Sequence, residues 1–190
     1  MQHATPPEKP EALQGKALLE VRNLRVWFPI RTGFFSSLFG RKRGYINAVD
    51  GVSFNVKAGE IFCLAGESGS GKTTLGKSLL RLVGVTSGNI CYDTIDILSL
   101  ERQELRSIRK NIQMIYQDPY EALPPHMNVF DIIAEPLEVN RLASSFEEKE
   151  AKVTKALEAV GLTPYEVFLD KYPHQLSGGQ RQRVAIASVL

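Results

Sequence analysis

Long apolar runs are missing from these 190 residues, and no stretch approaches the ~20 consecutive apolar residues of a membrane-crossing helix. The opening segment MQHATPPEKPEALQGK also lacks the apolar core of a secretory signal. Any work at a membrane is therefore expected to run through a partner. Cysteine is scarce: Cys63 and Cys91 stand far apart in apolar surroundings without metal-ligand spacing. The expected state is two buried, reduced thiols, with a disulfide as the alternative. Charge of one sign is lacking too, since 23 Lys and Arg against 21 Asp and Glu leave a net charge of +2. That is too little for a general nucleic-acid or membrane-surface binder, and the one basic cluster, Arg41-Lys42-Arg43, reads as a solvated loop. Of the three histidines, His3 falls in the tail, while His126 and His174 read as surface residues rather than ligands.

What is present is an ordinary globular composition, 43% hydrophobic and 23% charged, in a chain long enough for one domain with a sizeable core. Residues 1–17 are polar and Pro-rich and read as a flexible tail. In LLEVRNLRVWF, Leu19 and Val21 alternate with Glu20 and Arg22, the period of a half-buried strand. Val52, Phe54 and Val56 alternate in the same way with Ser53, Asn55 and Lys57. A turn at Ala58-Gly59-Glu60 leads into IFCLA, a short continuous apolar run suited to a strand buried on both faces, and NIQMIY at 111–116 reads likewise. KTTLGKSLLRLV has helical spacing at Leu75, Leu79 and Leu82. SFEEKEAKVTKALEAVG carries a capping box, Ser145 with Glu148, a stripe at Val153, Leu157 and Val160, and Gly161 as a stop.

Between the expected strand at 61–65 and the helix opening near Lys72 lies Gly66-x4-Gly71-Lys72-Thr73, the pattern G-x-x-x-x-G-K-[ST]. A triphosphate needs several N–H donors at once, so the backbone must curl round it without Cβ atoms in the way; Gly66, Gly69 and Gly71 permit this. The helix start adds unpaired N–H groups and the positive end of its dipole. Lys72 supplies a mobile charge for the β and γ phosphates, and the Thr73 hydroxyl is a hard oxygen ligand for Mg²⁺. The pattern in this context reads as a nucleoside triphosphate site.

A second glycine step follows at Ser177-Gly178-Gly179-Gln180, where a Ser at an N-cap position and glycine N–H groups open another helix. With these two elements in view, the sequence resembles the ATP-binding subunits of ABC transporters. GESGSGKTT is similar to their Walker A motif, MIYQDP to their Q-loop and LSGGQRQRVAIA to their signature motif, in the family's order. VRNLRVWFPI, AVDGVSF, LAGESGSGKTTLGKSLLRL, YQDPY and YPHQLSGGQRQRVAIA further resemble the dipeptide, oligopeptide and nickel importer branch. EALPPHMNV departs from that branch, which more often has an Asn-Pro-Arg step there.

The resemblance implies an α/β fold: a P-loop NTPase with a RecA-like core, an N-terminal antiparallel β subdomain and an α-helical subdomain at about 118–180, within a partial ATP-binding domain at 18–190. It implies that ATP is held by Gly66, Ser68, Gly69, Ser70, Gly71, Lys72, Thr73 and Thr74, with Mg²⁺ on Thr73 and Gln117. Lys72 and Gln117 are the expected catalytic residues, Gln117 reaching the attacking water. Ser177, Gly178, Gly179 and Gln180 would face the nucleotide held by a second ATP-binding subunit, itself identical or homologous. Phe28 would stack on adenine, with Trp27 and Tyr45 as rivals.

The implied partners are membrane permease subunits and, indirectly, an extracytoplasmic solute-binding protein, with no nucleic acid. The implied place is the cytoplasmic face of the membrane. In the family a strand ending Asp-Glu, a D-loop and a switch histidine follow the signature helix. None is in these residues, so the sequence is expected to be a truncated product or partial gene that lacks the C-terminal part of the core and its catalytic base, leaving apolar surface uncovered. The implied function is an ATP-hydrolysing motor for uptake of peptides or related small solutes. The alternatives are a soluble ABC ATPase of translation or DNA repair, and a nucleotide-binding fragment that does not hydrolyse.

Overall fold

The computed structural model describes residues 16–30, 44–117 and 123–190. The expected flexible tail with His3, the loop around Arg41-Lys42-Arg43 and the start of the expected helical subdomain lie at least partly outside the described residues. The chain divides into two compact units, residues 1–109 and 110–190.

The first unit is built on an antiparallel sheet of order β2-β1-β3-β4. Strand β1 (Ala17–Pro29) and strand β2 (Tyr45–Lys57) are the two alternating segments, and their register sets Val21 against Phe54, Leu24 against Val52 and Val26 against Val49. Alternation puts Val21, Leu24 and Val26 on the covered face, each at most 1% exposed. The alternation slips at Asn23, which has φ +44 and donates its N–H to the Ser53 hydroxyl at 2.7 Å. Strand β3 (Ser87–Tyr92) pairs with the other edge of β1, and β4 (Ile95–Asp96) closes a tight turn onto β3. Helix α1 (Lys72–Leu79) and helix α2 (Arg102–Ile108) complete the unit.

Helix α1 stops earlier than the leucine spacing predicts. Arg81 takes a left-handed conformation, φ +49, while Arg81 N–H reaches Ser78 O and Leu82 N–H reaches Lys77 O at 2.9 Å. This pair of bonds closes the helix in a Schellman motif and turns Leu82 out to 46% exposure. Arginines hold the end in place: Arg109 donates to Leu80 O and Arg81 O, and Arg81 donates to Ile97 O and Leu100 O.

The second unit is helical: α3 (Val129–Val139), α4 (Phe146–Ala159), the short α5 (Glu166–Leu169) and α6 (Gly178–Ala187). Val129, Val153, Leu157 and Val184 are fully buried in one core with Ile132, Ile133 and Phe168. Each such side chain is worth ~1.5–3 kcal/mol of burial. The expected capping box is present in a shifted form. Ser145 Oγ accepts from Glu148 N at 3.2 Å, but the Glu148 carboxylate accepts from Ser144 N rather than Ser145 N. Gly161 stops α4 as expected, with φ +70. Near the end of the chain, Val184, Ala185 and Ala187 are covered by α3 and α4, while Leu190 is 77% exposed.

Two expected strands are not formed. Residues 61–65 and 111–116 belong to no helix or ladder, and Ile61 is 90% exposed where a doubly buried strand was expected. A strand of continuous apolar residues is stable only with ladder partners on both edges and cover on both faces. Among the described residues no segment supplies that pairing. Phe62 finds part of its cover by stacking on Phe54 at 4.8 Å. The expectation of buried thiols is overturned too: Cys63 shares the exposure of the unpaired 61–65 run, Cys91 is half-buried in β3, and both are free.

Candidate nucleotide-binding site

The phosphate loop starts at Gly66, turns through Ser70, whose N–H donates to Glu67 O at 3.2 Å, and enters α1 at Gly71. Gly71 has φ +92, and a Cβ placed on it would lie 2.0 Å from Ala48 O of β2. No side chain fits there, so strand β2 forms the floor on which the loop rests. Gly69 has φ +80 with open space around it, whereas the one close approach of a Cβ on Gly66 would be to the movable Ser70 hydroxyl, at 2.7 Å, with Ser70 Cβ at 3.5 Å and Lys72 Nζ at 4.0 Å. The three glycines of the motif therefore serve different ends: close approach, backbone conformation and side-chain clearance.

Helix α1 has no side-chain cap, and its first intrahelical bond is Leu75 N to Gly71 O at 2.8 Å. The N–H groups of Lys72, Thr73 and Thr74 thus have no acceptor within the helix and point toward its N-terminal end. Lys72 Nζ turns back into the loop and donates to Gly66 O at 2.7 Å, Glu67 O at 2.6 Å and Ser70 Oγ at 3.3 Å. Uncapped donors, a dipole end and an ammonium thus converge on one side of an exposed loop, a fit for the phosphates of a nucleotide. Thr73, exposed at the second helical position, and the exposed Ser68 complete the expected set. A cavity of about 350 Å³ lies beside the loop, lined by Ala48, Val49, Val52, Leu64, Gly71 and Lys72 among others.

The three aromatic candidates lie at the end of the β1–β2 ribbon that also supports the loop, Trp27 pairing with Asn47 next to Ala48. Phe28 pairs across to Ile46 and is 38% exposed; Tyr45 is 55% exposed and tilted on Trp27 at 6.3 Å.

In the helical unit, Ser177 caps α6. Its Oγ accepts from Gln180 N at 3.2 Å, and Gln180 Oε1 accepts from Ser177 N at 2.9 Å. Gln180 is therefore engaged in shaping the turn itself. Neither Gly178 nor Gly179 has a positive φ, and a Cβ on either would meet nothing within 4 Å. Gln117 is exposed, immediately before residues 118–122, which lie outside the described residues. The expected site residues thus fall into two groups, one on each unit.

Sequence reasoning missed Ala48. The stretch Asn47–Gly51 shows no pattern that marks a carbonyl as a loop's support, and only the close approach of Gly71 reveals it. No helix among the described residues is long and apolar enough to cross a membrane, and no cluster of His, Cys, Asp and Glu among them could hold a metal ion.

Comparison with known proteins agrees with this geometry. The chain is 45% identical over 180 residues to the oligopeptide transport ATP-binding protein AppF of Bacillus subtilis, covering 94% of this chain and 53% of that protein. It is 43% identical over 187 residues to the glutathione import ATP-binding protein GsiA of Escherichia coli K12, covering 98% of this chain and 29% of that one. The chain therefore spans about half the length of the first relative and less than a third of the second. Among solved structures, a dimeric post-hydrolysis state of an ATP-binding cassette bound to ADP and Pi aligns with TM-score 0.74 and 32% identity, over 90% of this chain and 68% of that one. A cassette of Clostridium perfringens, described as part of an ABC transporter complex, aligns with TM-score 0.68 and 28% identity, over 92% of this chain and 61% of that one. These matches establish the P-loop NTPase fold, and the match to the family described as ABC transporter runs over residues 49–190: the chain belongs to the ABC transporter family.

Proposed function

We propose that this chain is the nucleotide-binding part of an ATP-driven importer of peptides or related small solutes, working at the cytoplasmic face of the membrane beside permease subunits. An extracytoplasmic solute-binding protein would deliver the solute, so its contact with this chain is indirect. The names of the relatives support the solute class. The loop geometry supports ATP as the ligand.

In this reading the phosphates settle against the N–H groups of Gly69, Gly71, Lys72, Thr73 and Thr74. Lys72 exchanges its bonds to Gly66 O and Glu67 O for phosphate oxygens, a charge-assisted gain over neutral acceptors. Thr73 and Gln117 would hold Mg²⁺, which supplies charge neutralisation on the phosphates. Ser68 and Ser70 line the loop with hydroxyl donors. One aromatic of the ribbon end, Phe28 or else Trp27 or Tyr45, stacks on the base.

The observation that carries the reading lies on the other unit. Glycine in a helix is less stable than alanine by ~0.5–1 kcal/mol, and Gly178 and Gly179 open α6 where nothing among the described residues needs their missing side chains. Open space in front of uncapped N–H groups and a capping Ser is explained by an anion arriving from outside, the phosphate held by a second ATP-binding subunit. Ser177, Gly178 and Gly179 would close on it, with Gln180 holding the turn in shape.

The test is Gly179→Asp in a complete, hydrolysis-deficient protein. Nucleotide binding by single subunits should be unchanged while ATP-dependent dimerisation, followed by light scattering, is lost. Dimerisation equal to that of the unsubstituted protein would refute the contact.

A further inference from the structure

One charged side chain of the helical unit is buried, and although it lies within LSGGQRQRVAIA it has been given no role so far. Arg181 is 6% exposed, yet it sits in the first turn of α6, where a cation opposes the helix dipole. Its backbone N–H makes the first intrahelical bond, to Ser177 O at 2.9 Å. Its guanidinium reaches back over the same turn, donating from Nη1 to Pro173 O at 3.0 Å and to Leu176 O at 2.6 Å. Both acceptors belong to buried residues, 173 and 176, of the segment that leads into Ser177. An apolar side chain would fill this space without opposing the dipole, so packing alone does not account for a cation here.

We infer that Arg181 is a positioning residue for the reaction: it fixes the 173–176 lead-in so that the Ser177 hydroxyl and the Gly178 and Gly179 N–H groups are presented together. A guanidinium suits the task because the two N–H groups of Nη1, fixed in one plane, hold both carbonyls at once. Without it, the lead-in keeps the burial of Leu176 in the helical core, the Tyr172 N–H to Gln175 Oε1 bond and its own short helical turn, the hydrogen bonds being local to 172–176. The lead-in then loses its tie to the helix body, while Ser177 keeps its own bonds to Gln180 and to the Arg181 backbone. The buried positive charge also raises the potential at the turn, which favours an anion in front of it. The inference rests on the proposed contact between this turn and a phosphate held by a second subunit.

The experiment uses the complete protein in a hydrolysis-deficient background and compares Arg181→Met, Arg181→Lys and Gly179→Asp. For Arg181→Met, ATP affinity of the single subunit should stay within about twofold, while the ATP concentration for half-maximal dimerisation rises about tenfold or more. Arg181→Lys, which keeps a cationic donor, should recover a good part of that rise. A Met variant that dimerises normally would overturn the inference. So would equal losses of single-subunit binding and dimerisation, or no recovery by Lys. If Arg181→Met is insoluble, Arg181→Gln replaces it; insolubility of both assigns the residue to fold stability and overturns the inference. Normal dimerisation of Gly179→Asp would instead sink the underlying contact, so the two failures are read separately.

Discussion

Replacing Gly71 by alanine probes the contact between the phosphate loop and strand β2. The new Cβ would start 2.0 Å from Ala48 O, on a residue with φ +92. Normal van der Waals separation lies near 3.4 Å, so loop and strand must part by more than an ångström. Holding a non-glycine residue in that conformation costs ~1–3 kcal/mol, and overpacking against fixed backbone adds ~1–3 kcal/mol. The total of ~2–6 kcal/mol is a large share of the ~5–15 kcal/mol that holds a domain together. Gly69→Ala carries the conformational cost without the collision, since nothing lies within 4 Å of it. Gly66→Ala carries neither beyond a shift of the Ser70 hydroxyl. Denaturant unfolding of the three variants should rank their losses Gly71 > Gly69 > Gly66, and nucleotide affinity should fall in the same order. If Gly71→Ala is no less stable than Gly69→Ala, strand β2 does not support the loop and the argument fails.

Lys72→Ala should weaken ATP much more than adenosine in titration calorimetry, because the ammonium that now binds Gly66 O and Glu67 O is proposed to move to phosphate alone; equal losses for both ligands would count against this. In the 190-residue chain, Ile61→Lys should change stability by no more than ~0.5 kcal/mol and reduce binding of a hydrophobic dye, since Ile61 is 90% exposed; a large loss of stability would show that the side chain is covered. The Lys152 ammonium and the Ser144 N–H hold the Glu148 carboxyl below the ordinary carboxylate value. Its folded pKa is therefore the lower one, so its support for the start of α4 is complete above the unfolded value and is lost as pH falls through the folded one. Amide protection at Phe146–Lys149, relative to the intrinsic exchange rate at each pH, should fall in acid, and Glu148→Gln should flatten that dependence.

Much of this architecture is legible in the residues because the relevant forces are local. Alternation at Leu19–Arg22 and Val52–Lys57 gives the ribbon, Ser145 and Gly161 bracket α4, and the glycine spacing from Gly66 to Gly71 marks the loop. What was misread depends on distant partners. The runs at 61–65 and 111–116 have strand composition, but composition does not provide the neighbouring strands that would bury them, and Cys63 shares that exposure. The leucine spacing extended α1 to Leu82 because periodicity is blind to a left-handed arginine held by Ile97 O and Leu100 O. The turn at Ser177 was visible as a motif, whereas the role of Arg181 beneath it required the hydrogen bonds.

The vacant space before Gly178 and Gly179 sets two kinds of selection against each other. A library sorted by heat resistance of the isolated subunit would favour alanine at both positions, since each replacement restricts the unfolded chain and meets no obstacle in the folded one. On the proposed contact, sorting the same library by growth on an imported solute would remove those variants, because the methyl groups would occupy the room assigned there to another subunit's ligand. These two residues are therefore where improvement of the lone subunit and performance of the working machine would diverge most sharply.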